Sequence, residues 1–78
     1  MTERTELLDV RKSDSERVRV HLKEYRGREY VDLRIWYISD TGEWRPSGKG
    51  LTLNPLLIPE IIRGLTLAGT AADPHGGR

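Results

Sequence analysis

The tightest constraint in this chain is a strict two-residue alternation from Arg17 to Tyr25. Val18, Val20 and Leu22 fall on one side; Arg17, Arg19, His21, Lys23 and Tyr25 fall on the other. Such a period belongs to an extended strand with one face against apolar material. Arg26-Gly27 follows as a turn, its glycine able to take positive φ. Arg28 to Ile38 resumes the strand, rich in β-branched and aromatic residues, with Val31, Leu33 and Ile35 set against Tyr30, Asp32, Arg34 and Trp36. Ser39-Asp40-Thr41-Gly42 reads as a hairpin loop. Glu43 to Arg45 reads as a short strand stopped by Pro46, Ser47-Gly48-Lys49-Gly50 as a second turn, and Leu51-Thr52-Leu53 as a short last strand.

Asn54-Pro55 has the form of an N-cap followed by proline at the first helical position. From Leu56 to Ala68 the pattern is helical: Leu57, Ile61 and Leu65 recur every four residues, as do Ile58 and Ile62. Pro59 costs a backbone hydrogen bond or delays the regular helix, and Gly64 weakens the interior by about 1 kcal/mol against alanine. The expected fold is therefore α+β, a four-stranded antiparallel meander followed by one C-terminal helix. Residues 1–15, polar apart from Leu7, Leu8 and Val10, read as a disordered arm; 16–68 form the domain; 69–78, rich in Gly, Pro and Ala, read as a flexible tail.

A chain of 78 residues without cysteine cannot add disulfides to a small core. Oligomerisation is the remaining common route. The helix is also too apolar for one sheet to cover, so a second copy is expected against Leu57, Ile58, Ile61, Ile62 and Leu65, giving a homodimer formed through helix and sheet. The bland alternative is a monomer whose arm folds over the exposed stripe.

Several function classes drop out. No apolar run reaches the ~18 residues of a membrane span, and the polar N-terminus is not a secretory signal. The lack of cysteine fits a reducing cytoplasm. His21 and His75 are the only histidines, no serine sits in a nucleophile elbow, and Asp32 between Tyr30 and Arg34 reads as an ion-pair partner. Ser47-Gly48-Lys49-Gly50 lacks the first glycine and the trailing Ser/Thr of a phosphate loop. No enzyme activity, cofactor or metal is expected.

Charge is unevenly placed. Residues 1–16 carry 3 basic and 5 acidic groups, residues 17–49 carry 8 and 5, and residues 50–78 carry 2 and 2. Within the basic middle third lie Lys23, Tyr25, Arg26, Arg28, Arg34, Trp36, Tyr37, Trp44, Arg45 and Lys49. Cations that follow phosphates, interleaved with rings that stack bases, are what single-stranded nucleic acid requires. The same pattern fits a solvated sheet face with Trp36 or Trp44 in the core, so residue pattern alone leaves both readings open. Strict alternation puts Trp36 and Tyr37 on opposite faces unless a bulge intervenes.

The run from Tyr25 to Tyr37, then Gly42-Glu-Trp-Arg-Pro46, then Gly48-Lys-Gly-Leu-Thr-Leu-Asn-Pro55, resembles the transcriptional positive cofactor four family of single-stranded-DNA-binding coactivators, in a short bacterial form. The resemblance covers about Val18 to Leu65. It implies a β-β-β-β-α chain that dimerises and holds single strands or melted duplex. By motif position it implies contacts from Lys23, Tyr25, Arg26 and Arg28, from Arg34 and Tyr37, and from Arg45 and Lys49; Trp44 is added from the local pattern. Trp36-Tyr37 reverses the family's order of the two rings, leaving open which one stacks. The resulting expectation is a homodimer acting in transcription regulation or on melted DNA, cytoplasmic and nucleoid-associated, with single-stranded DNA as ligand and the transcription machinery as a candidate partner. The alternatives are a single-stranded RNA binder and a protein-interaction module of the transcription or replication machinery.

Overall fold

A computed structural model describes residues 4–72; the first three residues of the expected arm, and residues 73–78 of the expected tail, lie outside the described residues. The chain forms β1 (Arg4–Arg11), β2 (Glu16–Tyr25), β3 (Arg28–Ile38) and β4 (Trp44–Leu53), a 3₁₀ turn at Pro55–Leu57, and α1 (Ile58–Ala71). The strands make one sheet in the order β1-β2-β3-β4, each pair antiparallel. The architecture is the expected meander followed by a helix, but two strands have a different membership.

The first correction concerns residues 1–15. Arg4–Arg11 is not a disordered arm but an edge strand paired along β2. Its period is broken: Glu6 faces His21 and Leu8 faces Val20, so Leu7 is an extra residue in a bulge. Thr5, Leu8 and Val10 therefore share one face although their spacing is uneven, and a two-residue template finds no strand there.

The second concerns Glu43–Leu53. The two expected short strands are one, β4, interrupted by a bulge. Arg34 faces Gly50 and Trp36 faces Pro46, so Ile35 lies opposite a stretch with two extra residues. Ser47 holds that stretch in the sheet, donating from Oγ to the Ile35 carbonyl at 2.8 Å and accepting at Oγ from the Lys49 amide at 3.0 Å. Pro46 is tolerated because β4 is an edge strand with a bulge. Gly50 is required: a Cβ there would lie 2.4 Å from the Leu33 carbonyl oxygen and 2.7 Å from the Arg34 Cα.

The helix begins as expected and ends later. The Asn54 side chain accepts from the Leu56 amide at 2.9 Å, capping the 3₁₀ turn, and Pro59 falls in the first turn of α1, where its missing N–H costs nothing. The helix continues through Gly69, which the sequence had placed in the tail.

The two faces of the sheet differ sharply. On one, Val10, Val18 and Ile35 form a cross-strand row, and Leu8, Val20, Leu33 and Leu51 form the next. This face is open, with a groove of about 320 Å³ bounded by Val18, Leu33, Ile35 and Leu51. The helix does not fill it: α1 buries no residue, and it is the preceding turn that touches β3. On the other face lie the buried residues Trp36, His21 and Asp32. A single copy thus leaves its apolar sheet face and its apolar helix both uncovered. No helix among the described residues is long and apolar enough to cross a membrane.

Candidate functional site

Direct cross-strand pairing assembles the polar face. Arg17 faces Trp36, Arg19 faces Arg34, His21 faces Asp32, Lys23 faces Tyr30 and Tyr25 faces Arg28. β1 adds Glu6 and Asp9, and β4 adds Thr52 and Trp44.

The centre of this face is an ion network around Asp32, which is only 4% exposed. Arg34 donates to it from Nε at 3.2 Å and from Nη2 at 3.0 Å, Thr52 donates at 3.0 Å, and the Lys23 ammonium lies 3.7 Å away. Burial pushes the Asp32 carboxyl up, but the bonds from Arg34 and Thr52 and the charges of Lys23 and Arg34 outweigh it and hold it below its ordinary value. The bond to Asp32 in turn raises Arg34. The remaining arm of Arg34 donates from Nη1 to the Ser47 carbonyl at 3.0 Å, tying the β4 bulge to β3. Arg34 is thus a brace between a buried carboxylate and a bulge.

Arg17 and Arg19 organise the tryptophans. The Arg19 guanidinium lies 4.9 Å from the Trp36 ring and 5.7 Å from Trp44, and Arg17 lies 5.4 Å from Trp44. His21 packs on Trp36 with ring centroids 5.2 Å apart. Asp9 pairs with Arg17 at 3.1 Å and with Arg19 at 3.5 Å, while Glu6 reaches Arg19 at 3.7 Å and His21 at 3.6 Å. Arg17, Arg19, Lys23 and Arg34 therefore each have a carboxylate partner within the chain.

Among the ten candidate residues, three places remain where a cation or ring is open to a ligand. The first is the β2–β3 hairpin. Arg26 takes φ 55° and Gly27 φ 78°, a two-residue turn with both central residues left-handed. An arginine there is strained by about 1 kcal/mol or more. It holds its guanidinium 5.2 Å from the ring of Tyr25, which is 55% exposed, with exposed Arg28 across the turn. Arg26 and Arg28 have no ion-pair partner among the described residues. The second is Tyr37, 40% exposed and directly opposite Arg45 on the other face of the sheet. They border an open space of about 520 Å³ beside the Ser39–Gly42 turn, with Arg45 paired to Glu43 at 2.9 Å. The third is Lys49, exposed on the β4 bulge.

The ten candidate residues are thus not one surface. Tyr25, Arg26 and Arg28 come together. Tyr37 and Arg45 form a second group, about 30 Å away along β3 by strand rise. Trp36 is 8% exposed and closed in by Arg19 and His21, and Trp44 is half-buried beside Arg17 and Arg19. Lys23 and Arg34 serve Asp32. Trp36 and Tyr37 lie on opposite faces, as alternation requires. The bracing roles of Ser47, Thr52 and Asp9 were not legible, because Asp9 lies in a strand and Ser47 in a bulge that the pattern did not reveal, and the same bulge sets the register that puts Thr52 opposite Asp32. On the helix, Leu57, Ile62 and Leu65 are exposed, and Ile58 and Ile61 are half-buried.

A small single-sheet domain with a basic, aromatic hairpin end and an uncovered apolar helix is the class these features define. The chain belongs to the transcriptional coactivator p15 (PC4) family, whose model matches residues 12–63. It is similar to a PC4 homolog from Burkholderia pseudomallei in two crystal forms. The tetragonal form gives 36% identity and a TM-score of 0.81 over 86% of this chain and 98% of that one. The orthorhombic form gives 34% identity and 0.83 over 90% and 95%. It is also similar to a bacteriophage T5 homolog of the eukaryotic coactivator PC4, implicated in recombination-dependent DNA replication, at 26% identity and a TM-score of 0.62 over 87% and 74%. Among curated proteins none matches the chain.

Proposed function

We propose that the protein is a homodimeric single-stranded-DNA-binding module that acts in transcription regulation or on melted DNA, in the cytoplasm and on the nucleoid. The observation that carries this reading is the hairpin tip. An arginine is kept in a strained left-handed turn, where asparagine or glycine would be relaxed, and its cation stands beside an exposed tyrosine ring. Cations there and at Arg28, Arg45 and Lys49 displace counterions from phosphates. Tyr25 and Tyr37 supply the faces on which bases stack, each stack contributing about 1–3 kcal/mol. Arg34 and Lys23 act by keeping the sheet and the β4 bulge in shape. The only helix among the described residues is apolar, unlike the polar helix that a major-groove reader presents. The function in the family name and the T5 homolog's link to DNA replication support a role at opened DNA.

The homodimer follows from the two uncovered apolar surfaces. The groove at Val18, Leu33, Ile35 and Leu51 and the helix face at Leu57, Ile58, Ile61, Ile62 and Leu65 are complementary in kind, and a second copy supplies both.

The interface is tested by stopped-flow release of a labelled single-stranded oligonucleotide. Tyr25→Ala and Tyr37→Ala should each speed dissociation about tenfold, from the loss of one stack, and leave the salt dependence unchanged. Wild-type release rates in both folded variants would remove the rings from the interface.

A further inference from the structure

The helix carries a second stripe that the proposed dimer does not use. Leu56, on the turn leading into α1, is followed by Glu60, Arg63 and Leu67 at intervals of four, three and four residues. At about 100° per residue Glu60, Arg63 and Leu67 fall within a band of about 60°, on the side of α1 away from Ile58, Ile61, Ile62 and Leu65, and Leu56 on the 3₁₀ turn stands at its N-terminal end. A 4-3-4 spacing is that of a helix-pairing seam.

The chemistry of the stripe is self-complementary. Glu60 and Arg63 are the only charged residues between Leu53 and Ala72, and both sit in the middle of it. Both are exposed, and neither has an ion-pair partner among the described residues. Leu56 and Leu67 at its ends are 85% and 61% exposed. When two copies of the stripe cross antiparallel about a two-fold axis, Leu56 meets Leu67, Glu60 meets Arg63, and the same contacts repeat in reverse. A parallel crossing sets like charges together. Small residues flank the stripe, Gly64 and Ala71 on one side and Thr66 and Thr70 on the other, so two backbones can approach closely.

We propose that this stripe joins two dimers into a tetramer, each α1 pairing antiparallel with an α1 of the other dimer. The inference rests on the dimer proposed above, because the broad apolar face must be covered before the narrow stripe is the surface left over. The occupant is a second copy of this chain, since the order apolar, acidic, basic, apolar is matched by its own reversal. Flanking small residues alone would not select a partner; the paired charges do.

Sedimentation velocity of the full chain over a range of concentrations tests this. The expected result is a mass rising from two chains to four. Glu60→Arg should move the midpoint of that rise at least tenfold higher in concentration, and Glu60→Arg combined with Arg63→Glu should restore it. Leu67→Gln, at an exposed position, should weaken the tetramer independently of charge; circular dichroism confirms that each variant is folded. A mass fixed at two chains overturns the tetramer and leaves the dimer standing. A mass of one chain overturns both. A four-chain species indifferent to Glu60→Arg and Leu67→Gln overturns the assigned stripe.

Discussion

Replacing Arg26 by asparagine should make the protein more stable and a poorer binder of DNA at the same time. Arg26 has φ 55°, in the region where an ordinary side chain crowds its own carbonyl at a cost of about 1–2 kcal/mol. Asparagine visits that region readily and is favoured before glycine in this turn. The exposed contact between the Arg26 guanidinium and the Tyr25 ring, at 5.2 Å, offsets about 0.5 kcal/mol of the gain. The net stabilisation is about 0.5–1.5 kcal/mol per chain, which for a domain of this size raises Tm by about 2–12 °C. Asparagine is the better choice over glycine, which would also loosen the unfolded chain. Binding moves the other way. One lost phosphate contact lowers the slope of log K against log salt by about 0.7 for a single strand. Thermal unfolding and a salt titration of oligonucleotide affinity, on the same preparation, read both effects. A variant that melts lower than wild type would refute the strain. Unchanged affinity and slope would refute the placement of Arg26 at the phosphates.

Arg34→Ala and Arg28→Ala should separate structure from binding. The first strips the Nε and Nη2 donors from buried Asp32 and the tie to Ser47, and should lower urea stability by about 2 kcal/mol. The second should leave stability alone, weaken DNA binding and reduce the salt slope by about 0.7. Gly50→Ala should cost about 1–3 kcal/mol, because its new methyl meets the backbone of Leu33 and Arg34; a wild-type urea midpoint would contradict that close approach. Asp32 also sets an acid limit. Its folded pKa is lowered from 3.8, so its stabilising share is fully present above about pH 5 and is lost as pH falls through the folded value. Urea midpoints between pH 5 and pH 2 should fall less steeply in Asp32→Asn than in wild type, and parallel slopes would show that Asp32 is not the titrating brace.

Much of the fold was legible because β2 and β3 keep an unbroken period of two and share a two-residue turn. Asn54-Pro55 likewise announced the helix start, and Pro59 is harmless because it falls in the first turn. Where the period breaks, reading failed for a definite reason. Leu7 is one extra residue in β1, and it shifts Leu8 and Val10 onto the face of Thr5, so the segment looks aperiodic. Ser47–Lys49 carry two extra residues in β4, and with Gly48 among them and Gly50 after them they mimic a turn. The candidate site was legible at its ends. Tyr25, Arg26 and Arg28 are brought together by the turn itself. Its middle was not, because whether a strand cation is free depends on what stands opposite. Arg34 and Lys23 are claimed by Asp32 and Arg19 by Asp9 and Glu6, and the last two belong to the strand that alternation hid. Trp36 was separable from Tyr37 by alternation alone; that it is the buried one follows from Arg19 and His21 closing over it.

The most direct test of the central claim is fluorescence anisotropy with a labelled 20-mer, offered as a single strand and as the matched duplex, at two salt concentrations. The protein should bind the single strand tightly and the duplex more weakly, and should lose affinity as salt rises. No binding, or equally weak binding to both forms, would contradict that claim and reduce the hairpin arginines to ordinary surface charge.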